Sequence, residues 1–241
     1  ATPRRLAVLV CALDQKQADR LTEKFGPAVK AAFDTHGNPT RAADGFAKSC
    51  GVAVADLTRA PKDGVEKLSF SSTVPGKSTN ELLPAIVDAA LAKLPIPKKM
   101  RWGSSRDEFV RPVHWLVMLF GEEVVPSTIM GVESGADSFG HRFHHPDKIR
   151  IGKPIDYEAL MLEHGNVVAD FAKRRELIRK SILTEGENLN ANTVVDESLL
   201  EEVTGLVEYP VALTGQFDEL FLEVPSQALI LAMKSHQKCF Y

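Results

Sequence analysis

Cysteine is scarce in this chain: three in 241 residues, at Cys11, Cys50 and Cys239. An odd and widely spaced set does not form a disulfide framework, and no close Cys pair marks a zinc site. Long apolar runs are missing too. The best, residues 113–120, is strand length, whereas a bilayer span needs roughly 20 apolar residues. The opening residues lack a signal-peptide pattern, so a cytoplasmic, reducing location with no membrane partner is expected. Glycine is absent where nucleotide chemistry requires it, with neither a GxxxxGK[ST] nor a GxGxxG loop, and there is no GxSxG elbow. Lys and Arg are absent from residues 181–233, which hold ten Asp or Glu. No self-sufficient catalytic site, resident cofactor or metal site is expected.

What is present is a soluble-globular composition, 44% hydrophobic and 25% charged, with a formal net charge of −3. That small number conceals a basic body, since residues 1–180 carry 27 Lys or Arg against 22 Asp or Glu. One face can attract a polyanion while another repels it or docks a basic partner. A solvated acidic helix accounts for the same asymmetry. The chain opens on Ala1 and stops at Tyr241 with apolar residues near both ends, which reads as a piece of a longer protein.

The richest stretch is residues 98–146. Two clusters of cations, imidazoles and rings flank an apolar run: Arg101, Trp102, Arg106, Phe109, Arg111, His114 and Trp115, then His141, Arg142, Phe143, His144 and His145. Guanidinium forks suit phosphate oxygens and rings stack on unpaired bases. The bland alternative is core aromatics with arginines paired to carboxylates. His141, His144 and His145 lack the carboxylates or cysteines that would complete a metal site. Glu201, Glu202 and Glu208 read as solvent-facing residues of an acidic helix.

The pattern predicts an α+β fold, with mixed sheets, packed helices and two subdomains joined by a Pro-rich linker. Residues 1–97 form an N-terminal α/β subdomain, truncated at its start, and 98–241 an α+β subdomain. The linker is Leu94-Pro95-Ile96-Pro97. The apolar run 6–13 suits a buried strand. Pro27 opens a short helix, and a second helix over 40–49 ends near Gly51. Leu68, Phe70, Ser72 and Val74 alternate as a strand. Ser78-Thr79-Asn80-Glu81 is a capping box for a helix whose stripe includes Leu82, Leu83, Ile86, Leu91 and Leu94, with Pro84 near its start. Residues 113–120 and 124–130 form a hairpin about Gly121-Glu122-Glu123, and 149–151 pair nearby. A helix capped by Asp156 ends at Gly165, and 167–171 form a short strand. Residues 172–185 form a helix with Lys173, Arg174, Arg175, Arg179 and Lys180 mostly on its polar side. An acidic helix spans 196–208 on a stripe of Leu199, Leu200, Val203, Leu206 and Val207. Residues 211–214 are strand-like, and Pro225 starts a last helix.

Several segments carry a family likeness. They are Ala1-Thr2-Pro3-Arg4-Arg5-Leu6-Ala7, Gly26-Pro27-Ala28, Lys93-Leu94-Pro95-Ile96-Pro97-Lys98, Met100-Arg101-Trp102-Gly103, Phe109-Val110-Arg111-Pro112-Val113-His114 and Gly140-His141-Arg142-Phe143. Leu199-Leu200-Glu201-Glu202-Val203, Val207-Glu208-Tyr209-Pro210-Val211 and His236-Gln237-Lys238 continue it. In order along essentially the whole chain, they resemble the bacterial glycyl-tRNA synthetase beta subunit. The resemblance implies a class II, alpha-two beta-two ligase that joins glycine to its tRNA with ATP. ATP and Mg²⁺ are then expected at the alpha subunit, which holds the adenylate-forming site, and none in this fragment. The beta chain handles tRNA and assembly, and a large C-terminal portion of it lies beyond this segment. The part after the linker is also similar, more distantly, to the editing-type module of phenylalanyl-tRNA synthetase beta chains. No editing activity is carried over, because a site for glycine excludes larger rivals sterically. Departures fall at Cys239-Phe240 and across 64–72.

The implied partners are the alpha subunit, tRNA-Gly and the remainder of the beta subunit. The residues expected to touch tRNA are Arg101, Arg106, Arg111, Arg142, Lys148 and Arg150 on phosphates, with Trp102, His114 and His144 stacking or bonding nearby. The alternative is an assembly scaffold in which residues 181–233 dock other parts of the synthetase without touching tRNA.

Overall fold

The structure is a computed structural model that describes all 241 residues. It is α+β: seven α-helices with small antiparallel and mixed sheets, and no closed barrel. The chain divides into two compact units, Asp14–Leu82 on one hand and Ala1–Leu13 with Leu83–Tyr241 on the other. The division falls inside a helix rather than at residues 94–97, where the Pro-rich linker is expected.

In the unit Asp14–Leu82, strand β1 (Arg20–Ala28) runs into a one-turn helix α1 (Val29–Ala32), followed by α2 (Arg41–Cys50). Strands β2 (Thr58–Lys62) and β3 (Val65–Val74) form a hairpin, and β3 lies centrally in the antiparallel order β1-β3-β2. The register shifts between Phe25 and Ala28, where Pro27 has no N–H to donate to the ladder. Ala32, Ala43 and Leu68 form a small core with Phe33, Phe46, Val54 and Leu57 packed on it. Gly51 ends α2 in the left-handed conformation at φ 73°, as the glycine signal implies. Helix α3 (Thr79–Ala92) starts on the expected capping box. The Ser78 N–H reaches Glu81 Oε2 at 3.2 Å, and the Glu81 N–H reaches Ser78 Oγ at 3.3 Å.

In the larger unit, Leu83, Val87 and Leu91 of α3 pack on Met118, Val125 and Ile129, while Ile86 points to solvent. Strands β4 (Met100–Arg101) and β5 (Glu108–Phe109) make a short hairpin. The expected hairpin about Gly121 forms at its tip, where β7 (Leu119–Phe120) pairs with β8 (Glu123–Val124). Farther out the run changes partners. Strand β6 (Leu116–Val117) lies parallel to β10 (Val132–Gly135), which also pairs with β9 (Thr128–Ile129). Strand β11 (Asp137–Phe139) pairs antiparallel with β12 (Lys148–Arg150). A second core gathers Ile149, Ile151, Met161 and Val167, with helix α4 (Tyr157–Glu163) against it. Helices α5 (Phe171–Asn188) and α6 (Glu197–Leu206) pack together, and α7 (Ser226–Ala232) continues into a π-turn over Met233–Gln237.

Five local expectations are corrected. Residues 6–13 form no strand, and Leu6, Val8, Leu9, Val10 and Leu13 are exposed. Residues 167–171 and 211–214 are not strands either: Val167 is buried without a partner strand, and Val211 and Leu213 are exposed. Arg174 does not lie on the polar side of its helix. It is fully buried, donating to the carbonyls of Val168, Thr204 and Ala1. Glu208 is not solvent-facing but buried, for reasons that belong to the site.

Candidate nucleic-acid interface

Strands β11 and β12 are joined by the loop 140–147, whose shape rests on Gly140. Its N–H donates to the Asp147 carbonyl at 3.2 Å, and a Cβ at this position would run into the His145 carbonyl. His141 then donates its N–H to the Gly165 carbonyl at 2.6 Å, and His145 closes a turn onto the His141 carbonyl at 2.9 Å. The imidazole of His141 works as a cap within this loop. Its Nδ1 accepts the N–H groups of Phe143 at 3.2 Å and His144 at 3.3 Å, which leaves the neutral ring's proton on Nε2. Burial first, and the nearby His144 second, hold its pKa below the ordinary histidine value. The loop throws Phe143 outward at 81% exposure, and the Arg142 guanidinium lies over its ring at 5.7 Å.

Beneath the loop, the N-terminal residues are pinned by Glu208. The Arg5 guanidinium makes a buried ion pair with Glu208 Oε1, and its other amino group donates to the carbonyls of Phe139 at 2.8 Å and Gly140 at 3.1 Å. Thr2 Oγ1 donates to the same carboxylate oxygen at 2.6 Å, and Arg4 stands 3.7 Å from Oε2. Arg4 and Arg5 both lie over the Trp115 ring at 5.8 Å, and Trp115 packs on Phe139 at 5.2 Å. Trp115 thus ties the first cluster to strand β11, which leads into the second. The pair Arg5–Glu208 spans nearly the whole sequence, so no local pattern points to it. The only sequence trace is the occurrence of both residues within the family-like segments.

The residues expected to touch tRNA fall into two sets. Arg106, Arg111 and Arg142 are exposed and have no carboxylate partner. Arg111 reaches the Val110 carbonyl at 3.3 Å. Arg101 on β4 is exposed but engaged, its Nε 2.6 Å from Glu108 Oε1. Lys148 and Arg150, either side of buried Ile149 on β12, share Asp137 at 3.7 and 3.9 Å. His114 and His144 are exposed and Trp102 is half-buried. His144 stacks on His141 at 4.5 Å and meets Tyr209 edge-on at 6.3 Å. No group of three or more His, Cys, Asp or Glu side chains converges in a metal-ligating arrangement. No helix is long and apolar enough to cross a membrane.

The acidic stretch is less free than its composition suggests. Glu197 is clamped by Arg179 at 2.7 Å and Arg175 at 2.6 Å, Asp196 by Lys234, and Glu202 by Lys238 at 2.7 Å. Beside it, Leu213, Phe217, Leu220, Phe221 and Leu222 are exposed.

These features define an α+β segment that carries exposed Arg, His and aromatic side chains. The chain belongs to the glycyl-tRNA synthetase beta subunit family, whose model matches residues 1–241 throughout. It is 55% identical over 241 residues to the glycine–tRNA ligase beta subunit of Chromohalobacter salexigens, covering all of this chain and 35% of that protein. The same-named proteins of Hahella chejuensis and Pseudomonas aeruginosa are 50% and 53% identical, again with this whole chain covered and 35% and 34% of theirs. The chain therefore spans about a third of the length of the curated relatives it matches.

Proposed function

We propose that this chain is the tRNA-handling segment of a glycine–tRNA ligase beta subunit, working in the cytoplasm within an alpha-two beta-two complex. In this reading the alpha subunit binds ATP and Mg²⁺ and forms the ester, and this segment alone is inactive. Its contribution is a surface for the RNA backbone. The observation that carries the reading is the set Arg106, Arg111 and Arg142: three exposed guanidinium groups with no carboxylate to satisfy them. Planar forked cations left unpaired on a surface are suited to phosphate oxygens. Arg101, Lys148 and Arg150 add positive charge but already hold carboxylates. Trp102, His114 and His144 serve as stacking or hydrogen-bonding groups.

The test is tRNA affinity across a salt series, in the full-length complex. Replacing Arg106, Arg111 and Arg142 together by Ala should weaken binding and lower the salt slope by about one unit for each phosphate that is no longer neutralised. Arg101→Ala, whose charge is compensated by Glu108, should change the slope less. Unchanged affinity and slope in the triple variant would exclude this surface from tRNA binding.

A second reading is supported by a different observation, the exposed apolar group Leu213, Phe217, Leu220, Phe221 and Leu222. Apolar exposure concentrated in one stretch of chain suits an interaction site. This is the scaffold role, in which residues 181–233 dock another part of the synthetase. The two roles occupy different residues, so Leu220→Asp with Leu222→Asp should impair complex assembly in gel filtration while leaving the Arg-dependent salt slope intact.

A further inference from the structure

An open cleft of about 260 Å³ lies beside the loop 140–147, lined by Arg4, His141, Arg142, Phe143, Glu208 and Tyr209 among others. Its chemistry differs from that of the phosphate-facing arginines. Phe143 presents a ring that is 81% exposed and Tyr209 a second, 38% exposed. No aliphatic core claims either ring, and exposing a Phe to water without an occupant is unfavourable. The imidazoles of His141 and His144 are stacked on each other, His141 6.1 Å from the Phe143 ring and His144 6.3 Å from the Tyr209 ring. His141 is neutral around pH 7 because Nδ1 accepts two backbone N–H groups and burial disfavours its charged form. Its Nε2–H is a donor not used within the chain. Glu208 anchors the floor of the cleft and is not a free acceptor, because its side chain is 5% exposed and is held by Arg5, Thr2 and Arg4. Arg142 over Phe143 and partly exposed Arg4 supply cations at the rim.

We infer that this cleft takes one unpaired nucleobase of an RNA, stacked on Phe143 and Tyr209, with its phosphate on Arg142 or Arg4. A flat ring with acceptors on its edge matches two exposed rings and one free imidazole N–H. The volume is below the roughly 300–1,000 Å³ of sites that enclose whole drug-sized ligands, and is of the size that admits a single ring system. A peptide side chain would use the rings but would leave the rim cations without an anion. The inference rests on the tRNA-binding reading and names what that surface reads beyond backbone charge.

The experiment compares Phe143→Ala, Phe143→Trp and Tyr209→Ala with the Arg106/Arg111/Arg142 triple variant, all in the full-length complex. Affinity for tRNA is followed across a salt series, with a short single-stranded RNA and an RNA duplex of the same length as competitors. Phe143 is so exposed that its removal leaves the core untouched, and circular dichroism melting checks that each variant is folded. Removal of a stacking platform should weaken tRNA binding on the order of 5- to 100-fold with the salt slope unchanged. Phe143→Trp should restore binding, and the single strand should compete better than the duplex only when a ring is present at 143. If Phe143→Ala binds tRNA as tightly as the parent while the triple variant is impaired, the base site is wrong and the phosphate surface stands. If Phe143→Ala lowers the slope as well, Phe143 acts only by holding Arg142, and the base site is again wrong. If the triple variant is unimpaired too, both readings fall.

Discussion

Glu208 accepts hydrogen bonds from Thr2 and Arg5 within an ion pair whose two side chains are only 4–5% exposed. A buried pair of this sort contributes little over a well-packed apolar substitute, but removing one partner strands the other charge in a poor dielectric. Glu208→Ala should therefore destabilise the larger unit by about 3–5 kcal/mol in urea unfolding. A change below about 1 kcal/mol would mean that Arg5 finds another partner. His141 gives a pH-dependent expectation of known sign. Its folded-state pKa lies below the ordinary value of 6.5, so the unfolded chain binds more protons just below that pH. Its contribution to stability thus decreases as the pH falls through the ordinary histidine range and into the folded-state pKa. Imidazole NMR should show His141 titrating with a midpoint below 6.5. A midpoint at or above that value would contradict the Nδ1 capping geometry.

Among the elements, α2 shows how short-range rules operate. Its C-terminus is set by Gly51 at φ 73°, whose N–H returns to the Lys48 carbonyl at 3.1 Å. An L side chain there costs about 1 kcal/mol of backbone strain, with open space around it and no clash to add. Gly51→Ala should lower stability by about that amount in thermal unfolding, and an unchanged midpoint would argue against the left-handed cap. Helices α5 and α6 begin in the same rule-bound way, with Asp170 accepting from the Lys173 N–H and Asp196 from the Leu199 N–H. What joins the two helices obeys no local rule. Arg174 is driven into the interface because its guanidinium finds the free carbonyls of Val168, Thr204 and Ala1, enough acceptors to replace water.

At the scale of the molecule, charge and apolar exposure are arranged unevenly. The acidic stretch is partly neutralised by Arg175, Arg179, Lys234 and Lys238 of the same chain, so it presents less negative charge than its composition implies. Arg106, Arg111 and Arg142 are among the exposed cations elsewhere that have no carboxylate partner. The salt series on these arginines is a whole-molecule measurement because counterion release reports the summed field, not one pair. Exposed apolar residues concentrate in two tracts, 6–13 and 213–224. Hydropathy alone marks the first as an interior strand, whereas in the fold it pairs with no strand and lies exposed.

The sequence by itself determined the α+β class, the family, the capped helices α2 and α3, the bodies of helices α5 and α6, and the tip of the hairpin at Gly121. Each of these depends on spacing within about ten residues or on ordered motifs along the chain. The tertiary structure alone decided that run 6–13 has no strand partner, that Glu208 is buried under Arg5, that Arg174 lies inside, and which arginines remain unpaired. A carboxylate's burial and a guanidinium's freedom depend on which groups the fold brings beside them from distant parts of the chain. Composition carries no record of that encounter.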